Sequence, residues 1–197
     1  FPVVLVVPPF RSVVRPALGV SLLQSALRQH GFDCRTLYAN LWFADRLGVH
    51  LYETLASHLN LSLGDFLFSC VRFDRPHQDI ERFVDEILAP SGEGSHFRRL
   101  SSAQNTVQTL IDLVRQADAF IEDAAARILS ERPRLVGLTS SYQENLASVA
   151  LARRLKQKEP QTLIVMGGAN CGGEMGQELL ARFPELDFVG QGECDRS

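Results

Sequence analysis

Apolar and polar positions divide the chain into two kinds of territory. Residues 3–7, 135–139 and 163–166 are short runs that stay apolar along their whole length. That is the pattern of strands buried on both faces of a parallel sheet. Pro8-Pro9-Phe10 ends the first run, because proline cannot donate to a strand ladder. Residues 16–30 then predict a helix, with Pro16 in its first turn, Leu18, Leu22, Ala26 and Leu27 along one face, and Gly31 as a left-handed cap. Residues 34–40 alternate more weakly and read as a second strand at the sheet edge. Further on, residues 145–158 carry Leu146, Val149, Ala150 and Leu155 at helical spacing between two apolar runs. This is a strand–helix–strand unit, whose right-handed crossover puts both strand ends on one edge of the sheet. After Gly172-Gly173, a helix over 174–183 leads to a last strand at 186–189, which runs into Gly190-Gln191-Gly192-Glu193.

The second territory, from Leu41 to about Arg132, shows helical patterns only. Leu47, Leu51, Leu55 and Leu59 recur every four residues after Asp45. Ser62-x-x-Asp65 resembles a capping box opening a short helix with Phe66, Leu67 and Cys70. Ile80, Phe83, Val84, Ile87 and Leu88 form an amphipathic stripe before Pro90, and residues 90–102 are the most loop-like stretch. Val107, Leu110, Ile111, Val114, Ile121, Ala125 and Ile128 mark a long helix leading back to the sheet. A direct crossover needs only about a dozen residues, so about sixty here are additional. The sequence therefore predicts one α/β domain over 1–197. Its core is a Rossmann-like (flavodoxin-like) parallel five-stranded sheet. A helical insertion at about 43–104 separates strands 2 and 3 and lies beside or over the edge where ligands bind. The chain stops at Ser197 before a helix could cover the last strand, which reads as the front part of a longer polypeptide.

Composition narrows the classes. A hydrophobic content of 45% with 22% charged residues is ordinary for a globular protein. The net charge of −3 gives no electrostatic case for nucleic acid or an anionic membrane as partner. No apolar run approaches the roughly 20 residues that span a bilayer. Cys34, Cys70, Cys171 and Cys194 are far apart with no C-x-x-C pair, which suits free thiols in a reducing cytoplasm.

Open α/β sheets bind ligands outside the carboxyl ends of their strands. Four loops converge there: Pro8-Pro9-Phe10, Ser140 to Asn145, Gly167 to Gly173, and Gly190 to Glu193. Glycines let a ligand approach the backbone, and Ser, Gln and Asn offer neutral hydrogen bonds. Lys and Arg are absent from all four loops, so the chemistry suits a large, mostly uncharged ligand with amide groups and a flat face. The alternative is that these are ordinary α/β loops whose glycines serve only tight turns. Familiar motifs are missing. There is no G-x-G-x-x-G after the first strand, no P-loop, no G-x-S-x-G elbow, and Pro8-Pro9 stands where a receiver domain needs acidic residues. His30, His50, His58, His77 and His96 lie away from the four loops, so metal ligation is not expected of them. Glu193 reads as a ligand-contacting or capping carboxylate, with a catalytic base in a nucleotide-binding enzyme as the rival role.

Taken together, these strings resemble a known family. Pro8-Pro9-Phe10, the run Thr139-Ser140-Ser141-Tyr142-Gln143-Glu144-Asn145, the run Gly167-Gly168-Ala169-Asn170-Cys171, and Gly190-Gln191-Gly192-Glu193 look like the N-terminal cobalamin-binding domain of cobalamin-dependent radical S-adenosylmethionine enzymes. The nearest branch is the one that matures ribosomally made peptides. The likeness covers nearly the whole chain; the Gly-Gly-Ala-Asn-Cys and Gln-Glu-Asn strings are its most specific parts. It implies cobalamin held at the strand ends, with the nucleotide tail toward the 167–173 and 190–193 loops. The corrin amides would meet Ser140, Ser141, Tyr142, Gln143 and Asn145. Pro8, Pro9, Phe10, Gly167, Gly168, Ala169, Asn170, Cys171, Gly190, Gln191, Gly192 and Glu193 complete the implied site.

Two departures qualify the likeness. No D-x-H-x-x-G string is present, so cobalamin would bind base-off without a His ligand, its lower face free or approached by Tyr142 or Gln143. No C-x-x-x-C-x-x-C is present either, so S-adenosylmethionine and the 4Fe–4S cluster would belong to a radical domain elsewhere in the same polypeptide. This chain alone is then not expected to be catalytic; peptide modification, methyl transfer among the outcomes, falls to the parent enzyme. A precursor peptide is a further implied partner. The rival from another class is a cofactor-free interaction domain that recognises such a peptide, or a partner protein, through the insertion.

Overall fold

The computed structural model describes residues 1–57, 62–75, 77–88 and 106–192. Strand β1 (Pro2–Val7) is followed by helix α1 (Leu18–Gln29), strand β2 (Asp33–Tyr38) and helices α2 (Ala39–Leu47), α3 (Val49–Ser57), α4 (Leu63–Phe73) and α5 (His77–Phe83). The last of these runs into a π-helical turn at Val84–Leu88. Helix α6 (Thr106–Ser130) returns the chain to β3 (Leu135–Thr139), after which come α7 (Asn145–Lys158), β4 (Leu163–Gly167), α8 (Gly173–Arg182) and β5 (Phe188–Gly190). Short 3-10 turns at Tyr142–Glu144 and Ala169–Cys171 follow β3 and β4.

The strands pair in parallel in the order β2-β1-β3-β4-β5. This is the flavodoxin-like, Rossmann-like α/β fold, with a helical insertion between β2 and β3. Apolar runs made it so. On one face Val4, Val6, Val136, Leu138, Ile164 and Met166 join the main core with side chains of α6 and α7 such as Phe120, Ile121, Val149 and Leu155. Each such buried side chain contributes roughly 1.5–3 kcal/mol. On the other face Val3, Leu5, Val7 and Cys34 pack under Val20 of α1 and under Ala17, the residue just before it. Gly137 has no side chain because Leu5 lies across it: a Cβ there would sit 2.7 Å from Leu5 Cδ2.

Several sequence expectations are corrected. In α1, Leu18 and Leu22 are 66% and 62% exposed, while Val20 is buried with Leu23 and Leu27 against the same cluster. Both stripes are apolar in the sequence, and the sheet selected the one centred on Val20. The four-residue leucine repeat does not run through one helix: Gly48, at φ 83°, separates α2 from α3. Its last member, Leu59, lies outside the described residues, as does the loop-like stretch at 90–102. Ser62 precedes α4 in a left-handed conformation and makes no side-chain cap bond, so the predicted capping box is not formed. Asp65 instead accepts from the Leu146 N–H at 3.0 Å, across to the start of α7. The second strand ends at Tyr38, since Ala39 and Asn40 already belong to α2. The last strand begins at Phe188: the Asp187 carboxylate turns back to accept from the Ile164 N–H at 2.7 Å.

Candidate functional site

Strand order reverses between β1 and β3, where a crevice for a ligand is expected. Here the insertion fills it. Pro8 and Pro9 are buried, and the Phe10 ring lies 5.7, 5.2 and 5.8 Å from the rings of Phe43, Tyr52 and Phe68. The start of α4 passes so close that a Cβ on Gly64 would collide with the Phe10 ring. Gln143 is buried on the same side. Its Oε1 accepts from Gly64 N–H at 2.7 Å, and its Nε2 donates to the carbonyls of Leu55 and Ala56 at 3.2 and 3.4 Å. Tyr52 Oη donates to the Arg11 carbonyl at 2.7 Å. Phe10 and Gln143 therefore face the insertion rather than solvent.

Charge is layered beneath this closure. The turn Tyr142–Glu144 carries a capping box in which Glu144 Oε2 accepts from the Ser141 N–H and from Thr139 Oγ1, each at 3.0 Å. Arg11 stands 3.5 Å from the other carboxylate oxygen. Burial pushes the Glu144 carboxyl above its ordinary pKa, and Arg11 and the two donors offset only part of that. Burial, reinforced by Glu144 and Glu53, also raises the Tyr52 phenol. Asp65 is raised by burial against the pull of the Leu146 N–H. Glu53 anchors the β1 loop by accepting from Val13 N–H and Ser12 Oγ at 2.6 and 3.0 Å.

The β3–β4–β5 half of the edge is built otherwise. Ser140 is buried; its Oγ donates to Asn145 Oδ1 and accepts from Asn170 Nδ2, both at 3.1 Å. Asn170 Nδ2 also donates to the Tyr142 carbonyl at 3.0 Å, and the Asn170 N–H to the Ser140 carbonyl at 3.1 Å. Gly168, at φ 125°, lies against Ser140 so closely that a Cβ would collide with its carbonyl. These contacts hold Tyr142 at φ 53° with its side chain outward, 68% of the residue exposed. Around it, Ala169, Gly172, Gly173, Gln191 and Gly192 are exposed, Ser141, Gly167 and Gly190 are half-buried, and Cys171 is buried. Gln191 Nε2 donates to the Gly173 carbonyl at 3.4 Å, tying the β5 end to the start of α8. Glu193 lies outside the described residues.

So the structure brings Ser140, Tyr142, Asn145, Gly168 and Asn170 into one network, and turns Phe10 and Gln143 away from it. Three participants were not singled out from the sequence: Arg11, Glu53 and Gly64. Nothing in their local pattern marks them, since their partners are 40 to 133 residues away. The Glu144 role had a signal, because Ser141-x-x-Glu144 is itself a capping-box string. Among the described residues, no group of three or more His, Cys, Asp or Glu gathers as a metal site, and no helix is long and apolar enough to cross a membrane.

The open part of this edge is the glycine rim rather than the buried amides. A Cβ on Gly167, Gly173 or Gly192 would meet nothing within 4 Å, so ligand can approach that backbone. The outward Tyr142 side chain supplies an aromatic surface beside it. Compared with protein-family models, curated proteins and solved structures, the chain matches none.

Proposed function

We propose that this chain binds cobalamin at the β3–β4–β5 half of the strand-end edge and presents it to a radical S-adenosylmethionine domain of the same polypeptide. The observation that carries the reading is Tyr142: an aromatic residue held in a strained left-handed conformation, exposed, beside an open glycine rim free of Lys and Arg. Backbone strain of this kind costs of order 1–3 kcal/mol and persists where neighbouring contacts enforce it, often at functional sites. In this reading Tyr142 meets the flat corrin, while the 167–173 and 190–192 backbone lines the nucleotide tail. Ser140, Asn145 and Asn170 position Tyr142. Pro8, Pro9, Phe10 and Gln143 support the wall from behind. Bound cobalamin supplies a group carrier, and transfer to a peptide belongs to the parent enzyme.

The test is the absorption spectrum of the purified chain after incubation with hydroxocobalamin and desalting, beside the same chain extended by its natural downstream sequence. Corrin retained near one equivalent and lost in Ala169→Trp supports the reading, because Ala169 is exposed and a large side chain there blocks the rim without touching the Ser140 network. Corrin retained by neither chain overturns it.

A specific observation favours one rival. The insertion closes the β1–β3 crevice with its own side chains, as suits a cofactor-free domain recognising a precursor peptide or partner protein. Peptide binding unaffected by Ala169→Trp, with no corrin retained, would select that reading.

A further inference from the structure

Strand β2 is the outermost strand on the β1 side of the sheet. The Pro2 carbonyl accepts from Arg134 N–H on the β3 side, so Val3 and Leu5 turn their peptide groups toward β2. Their register partners, Cys34 and Thr36, then turn theirs to the outer edge. The Cys34 carbonyl is already used there: it accepts from Gln24 Nε2 and Arg28 Nε at 3.2 and 2.9 Å. The outward N–H and C=O of Thr36 have no such partner among the described residues. Thr36 Oγ1 is buried and has none either. Exposed edges are blunted by Pro, Lys or a covering element. Strand β2 carries neither Pro nor Lys, and its Arg35 is bound to Glu131 at 2.7 Å.

Above this edge the flank of α1 is open. At about 100° per residue, Ser21 and Ser25 lie on the same flank as Gln24 and Arg28. An open groove of about 390 Å³ runs along these four side chains, with Gln29 at its end. Apart from Arg28, which is held to the Cys34 carbonyl, every side chain lining it is neutral. Helix α1 crosses over antiparallel to β2, and Ser21 comes level with Thr36. About 7 Å along α1 from the middle of the Gln24–Arg28 turn leads to Ser21, as about 6.6 Å along β2 from Cys34 leads to Thr36.

We propose that this edge joins a second copy of the chain. The two β2 strands pair antiparallel about a two-fold axis at Thr36, so that two five-stranded sheets become one and the two α1 helices pack side by side. The contact is self-complementary, as a two-fold interface must be. It gives each Thr36 N–H the other Thr36 carbonyl, and a turn about χ1 lets the two hydroxyls meet, one donating and one accepting. Strands lie about 4.8 Å apart, so helices placed over β1 and β2 in each copy stand about 10 Å from each other, within the range of packed helices. Ser21 then faces its own twin at the axis, and its small side chain permits that approach. The two Cys34 residues, each with its Arg28, lie about 13 Å apart along the pair, so like charges do not meet. A free peptide fits worse. With the Cys34 carbonyl capped and α2 beginning at Ala39, the edge offers a peptide little beyond Thr36. That is set against the cost of ordering an extended segment. A folded copy arrives with its strand formed and adds the helix contact. The edge lies across the sheet from the β3–β4–β5 rim, so the inference is independent of the cofactor reading.

The test is sedimentation equilibrium of the chain over a range of concentrations, with a disulfide reporter at the axis. The apparent mass should climb from that of one chain toward that of two. Ser21→Arg sets two like charges against each other and should weaken association about tenfold or more, with the far-UV circular dichroism unchanged. Cys34, Cys70 and Cys171 are buried, so a Cys194→Ser background leaves an introduced cysteine as the reporter. There Ser21→Cys should give a disulfide-linked dimer on oxidation. Met175→Cys, exposed on α8 beside the opposite edge of the sheet, should not. The mass of one chain up to about 1 mM would overturn the proposal. So would a dimer that Ser21→Arg leaves intact and Ser21→Cys does not cross-link, since that dimer uses another face. A chain that stays single while an added strand-forming peptide broadens the Thr36 amide resonance would also overturn it, and would make the edge a peptide site. Should Ser21→Arg disturb folding, Thr36→Pro makes the same comparison, because the N–H it removes faces outward, where an edge strand tolerates proline.

Discussion

The two halves of the strand-end edge use similar materials and end differently. At the β1–β3 half, Phe10 and Gln143 are drawn into a helical insertion: the ring into an aromatic cluster, the amide into three hydrogen bonds with Leu55, Ala56 and Gly64. At the β3–β4–β5 half, Ser140, Asn145 and Asn170 also bond to protein, yet the result is an exposed Tyr142 and an open backbone rim. A polar or aromatic loop residue is thus available to a ligand only if no other element reaches it first. The insertion reaches one half and not the other.

The largest effect that would break this contrast is removal of the Phe10 ring. Phe10→Ala should cost about 3–5 kcal/mol, as truncating a fully packed aromatic does, and should release α3 and α4 from β1. A urea midpoint close to wild type would show that the insertion stands by itself. Gly168→Ala attacks the other half: with φ 125° and the Ser140 carbonyl in the way, it should cost about 1–3 kcal/mol. It should also free Tyr142, seen as altered tyrosine fluorescence with the insertion intact. Gln143→Leu keeps the volume but strands the Gly64 N–H and two carbonyls, for about 1–3 kcal/mol. A neutral result would mean that water replaces the amide.

The buried carboxyl between the halves gives a pH dependence. Glu144 has a native pKa above its ordinary 4.5, so from that value up to the raised one the folded state holds more protons than the unfolded state. Stability therefore falls as pH rises through this window. Glu144→Gln stays neutral, so wild type should lose ground to the variant across the window and run parallel to it above. Wild type gaining instead would make Arg11, not burial, the dominant influence. The smallest effect sharpens the open half: Tyr142→Gly should stabilise the chain by about 1 kcal/mol by relieving the left-handed conformation, while weakening corrin retention. A stability loss would mean that the ring packs more than it is displayed.

Much of this was legible along the chain, and the reasons are local. Runs such as Val3-Val4-Leu5-Val6-Val7 can only be buried strands, and Gly31, at φ 81°, ended α1 as its position suggested. The convergence of strand ends followed from the handedness of crossovers. Leu18 and Leu22 show where such reading stops: α1 has two apolar stripes, and only the sheet beneath it, through Val3, Leu5 and Val7, chose the one centred on Val20. The Ser62-x-x-Asp65 string was a cap in sequence, but Asp65 found a better donor 81 residues away at Leu146.

By itself, then, the sequence determined the strands, the crossover helices, the presence of an insertion and the absence of Lys and Arg from the four loop strings, because each depends on period, handedness or composition within a short stretch. Only the tertiary structure decided which side chains at that edge remain open. That choice rests on contacts between residues far apart in the chain, Phe10 with Phe68 and Gln143 with Gly64 on one side, Asn170 with Ser140 and Tyr142 on the other. No local pattern encodes a contact whose partner lies dozens of residues away.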